Sequence, residues 1–84
     1  MKTYAFRLQS GQLLREEIDK FVKLKKIKAG AVLTCVGNLR KAVIRMADET
    51  IINNYEGTFE IVSLVGTFEE GNSHLHISIS DKDG

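Results

Sequence analysis

Two stretches of alternating apolar and polar residues dominate the second half of the chain. His74-Leu75-His76-Ile77-Ser78-Ile79-Ser80 alternates without a break. That period predicts a strand with Leu75, Ile77 and Ile79 toward a core and His74, His76, Ser78 and Ser80 on a shared polar face. Upstream, Thr58 to Phe68 is apolar on both parities, with Phe59, Ile61 and Val65 on one and Val62, Leu64 and Phe68 on the other. Such a pattern predicts a central strand covered on both faces. The polar run Glu69-Glu70-Gly71-Asn72 between the two predicts a tight turn.

The first half is less regular. Tyr4, Phe6 and Leu8 alternate with Ala5, Arg7 and Gln9, which predicts an opening strand over Thr3 to Leu8. Ser10-Gly11 breaks it, and Ser10 is a candidate cap for the helix that follows. Leu14, Ile18, Phe21 and Val22 fall on one helical stripe, flanked by Leu13 and Leu24, so an amphipathic helix is expected over Gln12 to Lys25. Glu16 with Lys20, and Asp19 with Lys23, stand four apart in the favourable order. Lys28-Ala29-Gly30 is the expected turn out of the helix. Ala31 to Val36 is apolar, bounded by glycines, and predicts a short buried strand. Gly37-Asn38 turns the chain into a strand over Leu39 to Met46, and Ala47-Asp48-Glu49-Thr50 turns it again into Ile51 to Tyr55. The expected fold is therefore α+β: a mostly antiparallel sheet of about six strands with one flanking amphipathic helix, in the order β-α-β-β-β-β-β.

Composition narrows the function classes. Eighty-four residues make one domain with a thin core. A single cysteine, Cys35, excludes an internal disulfide, and its apolar surroundings predict a buried structural thiol in a reducing compartment. Oligomerisation or a metal is then the expected supplement to the core. No apolar run is long enough to span a bilayer and no signal-peptide core opens the chain, so the cytoplasm is the expected location. A formal net charge of +1 gives no overall pull toward polyanions. The helix turns basic at Lys20, Lys23, Lys25 and Lys26, but no arginine is interleaved with these lysines, Phe21 among them belongs to the apolar stripe, and cations there offset the helix dipole.

His74 and His76 are the candidate metal ligands. Two residues apart on one strand face, their Cα atoms stand about 6.5–7 Å apart, within reach of one zinc or similar divalent ion. A third ligand has to come from elsewhere: Asp81, Asp83 and a second subunit are the candidates. No Ser-His-Asp, Cys-His or phosphate-loop arrangement is legible, and Glu60 cannot be matched to His76 by face, so no catalytic residues are assigned and no enzyme is expected.

The ordered landmarks LRKAVIR after a Gly-Asn turn, GTFEIVSLVGTF from Gly57 to Phe68, and HLHISISDKDG from His74 to Gly84 resemble the plants-and-prokaryotes-conserved (PPC or PCC) domain, found with AT-hook DNA-binding motifs. FRLQSGQLLREEIDKF and IKAGAVLTCVGNL also fit, so the resemblance covers residues 1–84. It implies an α+β homotrimer that supplies self-association and contacts with transcription factors, while separate AT-hooks hold the DNA minor groove. No Gly-Arg-Pro hook core exists here, because the chain has no proline. The plant interaction motif Gly-Arg-Phe-Glu-Ile-Leu is matched by Gly57, Thr58, Phe59, Glu60, Ile61 and Val62, the candidate partner-binding residues, with threonine in place of the arginine. Family members also continue past the Asp83-Gly84 turn into a glycine-rich segment with a further histidine, which the resemblance makes the missing metal ligand. These residues are thus expected to form one PPC-like domain without its C-terminal part. An Asp-Gly turn also calls for a strand after it or a second chain on that sheet edge.

Overall fold

The computed structural model describes residues 1–48 and 50–84. One helix, α1 (Leu14–Leu24), is followed by four strands: β1 (Ala29–Ala31), β2 (Asn38–Arg45), β3 (Ile52–Glu69) and β4 (Asn72–Ser80). All pairings are antiparallel and all run through β3. On one side of β3, β2 pairs along Ile52 to Glu60 and β1 along Thr67 to Glu69; on the other, β4 pairs along Glu60 to Glu69. The hairpin into β4 turns at Glu70-Gly71, where Gly71 takes φ +79, a left-handed conformation that favours glycine.

Four strands replace the expected six. The stretches expected at Ile51 to Tyr55 and Thr58 to Phe68 are one strand, because Glu56 and Gly57 continue the extended backbone between them. An 18-residue strand drawn straight would run about 55–60 Å. The longest dimension of the molecule is 38 Å, so β3 has to bend. Two bulges bend it. Opposite β2, the single residue Arg40 faces both Gly57 and Thr58, with Gly57 at φ +146; opposite β4, Val62 is the extra residue between Ile61 and Ser63.

The second bulge also corrects the reading of β3 as apolar on both faces. An unpaired residue shifts the parity of everything after it. Phe59 and Ile61 before Val62 therefore share a face with Leu64 and Phe68 after it, and Val62 and Val65 are each left 62% exposed. The shared face is the one α1 covers. Ile18 and Val22 pack against Leu64, with Leu14, Ile27, Val32, Cys35, Ile61, Phe68, Leu75 and Ile77 around them. The Arg15 Nη2 donates to the Ser73 carbonyl at 3.0 Å, tying the first helical turn to the start of β4.

The helix is framed differently from the expectation. Leu13 is the N-terminal boundary residue and makes no side-chain cap; Ser10 lies outside the helix in a turn with Gly11. At the other end Lys26 takes φ +55, and Ile27 N donates to the Val22 carbonyl, so the chain leaves the helix at Lys25-Lys26 rather than at Lys28 to Gly30. The intrahelical ion pair is Lys20 with Glu17, at 3.3 Å, in place of the i,i+4 pairs expected with Glu16 and with Asp19.

Two expected strands are not formed as such. Thr3 to Leu8 has no ladder partner, and its aromatics turn onto the helix: Phe6 stacks on Phe21 at 4.3 Å and Tyr4 meets the same ring edge-on at 5.5 Å. Ala31 to Val36 holds to the sheet only at its ends. Ala31 closes β1, Val32 N donates to Gly66 O, and Gly37 O accepts from Ile61 N; between them Leu33 and Val36 point to solvent, Val36 being 89% exposed. The turn expected at Ala47 to Thr50 is closed by Ile51 N donating to Asp48 O and by Thr50 N and Oγ1 donating to the Asp48 carboxylate; Glu49 lies outside the described residues. No helix among the described residues is long and apolar enough to cross a membrane.

Gly66 marks the closest approach within the sheet. A Cβ there would overlap the His74 carbonyl oxygen and stand 2.8 Å from Leu75 Cα, backbone that cannot give way. Gly66→Ala is expected to destabilise the domain by about 1–3 kcal/mol, the cost of overpacking, and urea unfolding followed by circular dichroism measures it.

Candidate functional site

β4 brings the two histidines together as its alternation requires. His74 lies across from Thr67 and His76 across from Val65, both on the face away from α1. Their Nε2 atoms are 3.0 Å apart and their ring centroids 4.9 Å apart, with the rings tilted 59°. One imidazole can donate to the other in the appropriate tautomer. The same convergence fits half of a metal site. Two imidazoles on one tetrahedral zinc, each at about 2.0–2.1 Å, place their nitrogens roughly 3.3 Å apart. The rings need to splay only slightly to reach that. No third His, Cys, Asp or Glu joins them among the described residues, so Asp81 and Asp83 do not complete the set. A turn occupies those two instead, with Asp83 N donating to the Asp81 carboxylate and Gly84 N to the Asp81 carbonyl.

The segment Gly57 to Val62 spans both bulges of β3. Its residues divide by face. Phe59 is 8% exposed and meets Tyr55 edge-on at 6.2 Å, and Ile61 borders the helix core. Thr58, Glu60 and Val62 are exposed. Nothing in this geometry gathers them around the histidines.

Sequence reasoning missed one cluster. Lys25, at the end of α1, acquires one aromatic neighbour from the opening segment and one from its own helix: its Nζ sits 6.0 Å from the Tyr4 ring centroid and 5.8 Å from that of Phe21. The signal was present in the aromatic period of Tyr4 and Phe6, but it was read as a strand face.

Cys35 is half-buried beside the helix core, and desolvation raises its thiol pKa above the ordinary value. A raised pKa means less thiolate at any given pH, the opposite of an activated nucleophile.

The sequence profile of the Plants and Prokaryotes Conserved (PCC) domain matches residues 1–84. This chain belongs to that family. Among curated proteins it is 34% identical, over all 84 of its residues, to the bifunctional protein GlmU of Synechococcus sp. (strain JA-3-3Ab), and 34% identical to that of Synechococcus sp. (strain JA-2-3B'a(2-13)). The chain spans only 14% and 13% of those two proteins. Among solved structures, a hypothetical protein from Salmonella cholerae-suis (Salmonella enterica) superposes with a TM-score of 0.93 at 36% identity, over 96% of this chain and 59% of that one. A protein of Bacteroides thetaiotaomicron, named as a candidate DNA-binding protein, shares the PCC fold at a TM-score of 0.74 and 23% identity, over 83% of this chain and 52% of that one.

The desolvated thiol of this PCC domain gives a direct test. Alkylation of Cys35 by iodoacetamide at pH 8 is expected to be several-fold slower than that of a free cysteine, to rise with pH beyond the ordinary thiol range, and to reach the free rate in denaturant.

Proposed function

We propose that this PCC domain is a non-enzymatic binding module that works as a homotrimer in DNA-associated regulation, engaging protein partners in transcription, with no AT-hook among these 84 residues. The observation that carries the reading is the apolar surface. Val43, Ile52, Val62 and Val65 on the sheet, with Leu33 and Val36 on the segment beside it, are all well exposed. Scattered apolar residues are ordinary on a protein surface, but 84 residues with only Ile18, Val22, Ala42, Phe59 and Leu64 as buried apolar side chains among the described residues gain more than most from burying the rest against a copy of the chain. The relatives support an accessory role. In the Synechococcus proteins the matching unit is about one-seventh of a longer, bifunctional chain. The DNA-associated setting draws on the family alone.

Light scattering coupled to size exclusion is expected to return three times the chain mass of 9.4 kDa at micromolar concentration. Val65→Glu, which would put a charge into the buried contact, is expected to weaken assembly on the order of tenfold or more without unfolding the subunit. A monomeric wild-type protein at these concentrations overturns the trimer.

A second reading is favoured by the histidine geometry: a small metal-binding protein that uses His74 and His76, with a divalent ion such as zinc as cofactor and the remaining ligands from outside the residues grouped here. In chelator-free protein this reading expects metal in proportion to the chain, lost in the His74→Ala, His76→Ala variant; full metal retention in that variant removes both residues as ligands.

A further inference from the structure

We draw no further inference here: the strongest candidate, the side-chain cluster of Tyr4, Phe6, Phe21 and Lys25 between the opening segment and the end of α1, carries nothing because these residues span only 59% and 52% of the similar solved chains, and nothing in the structure shows what covers that face.

Discussion

The fold depends on one strand doing more than a straight strand can. β3 pairs with all three other strands, yet its 18 residues have to fit within a molecule 38 Å long. The bends at Gly57-Thr58 and Val62 meet that constraint. They divide β3 into a half that pairs with β2 and a half that pairs with β4 and β1, so each short strand finds a straight length to join. The same bends decide which side chains reach the helix. Without the extra residue at Val62, Leu64 and Phe68 would face away from Ile61, and α1 would cover only part of the core that now surrounds Ile18 and Val22.

The resulting core is small. No large side chain among the described residues is sealed completely, and the five buried apolar residues fall in two groups: Ile18, Val22 and Leu64 under the helix, and Ala42 and Phe59 in the β2 half. α1 reaches only the first group. The β2 half is closed by its own side chains, with Phe59 against Tyr55 and Tyr55 held by Asn53 Nδ2 donating to its hydroxyl at 3.0 Å. An arrangement of this kind folds with a modest margin. It leaves apolar area exposed in the β2 half, at Val43 and Ile52.

Much of this was legible in the sequence, for identifiable reasons. The helix is marked by the spacing of Leu14, Ile18 and Val22, and β4 by unbroken alternation, which by itself puts the histidine pair on one face. What misled the reading was parity. A bulge looks, along the chain, like a strand that is apolar on both faces, and Gly57 alone did not reveal that two such irregularities lie five residues apart. The opening segment misled differently. Alternation reports that Tyr4, Phe6 and Leu8 share a side, not what lies against that side, and here the neighbour is Phe21 of the helix rather than another strand. Leu33 and Val36 are apolar yet exposed, against the buried strand their run of apolar residues predicts.

The doubly bulged segment shows how structural demand and recognition can be separated within one motif. Gly57 is held by its φ of +146, Phe59 by burial, and Ile61 by its place beside the helix core. These three positions are fixed by the fold itself. The side chains the segment turns outward are those of Thr58, Glu60 and Val62. Thr58 is the position at which the plant motif has arginine, and it lies in the bulge, where the backbone re-aims a side chain away from the regular pleat. The family resemblance at Gly57 to Val62 is therefore strong where it specifies the bend and altered where it specifies contact. Retaining the glycine, phenylalanine and isoleucine preserves the platform, while a short hydroxyl at position 58 presents no guanidinium to a carboxylate or phosphate. Among the side chains the segment exposes, the charge is Glu60 and the apolar surface is Val62.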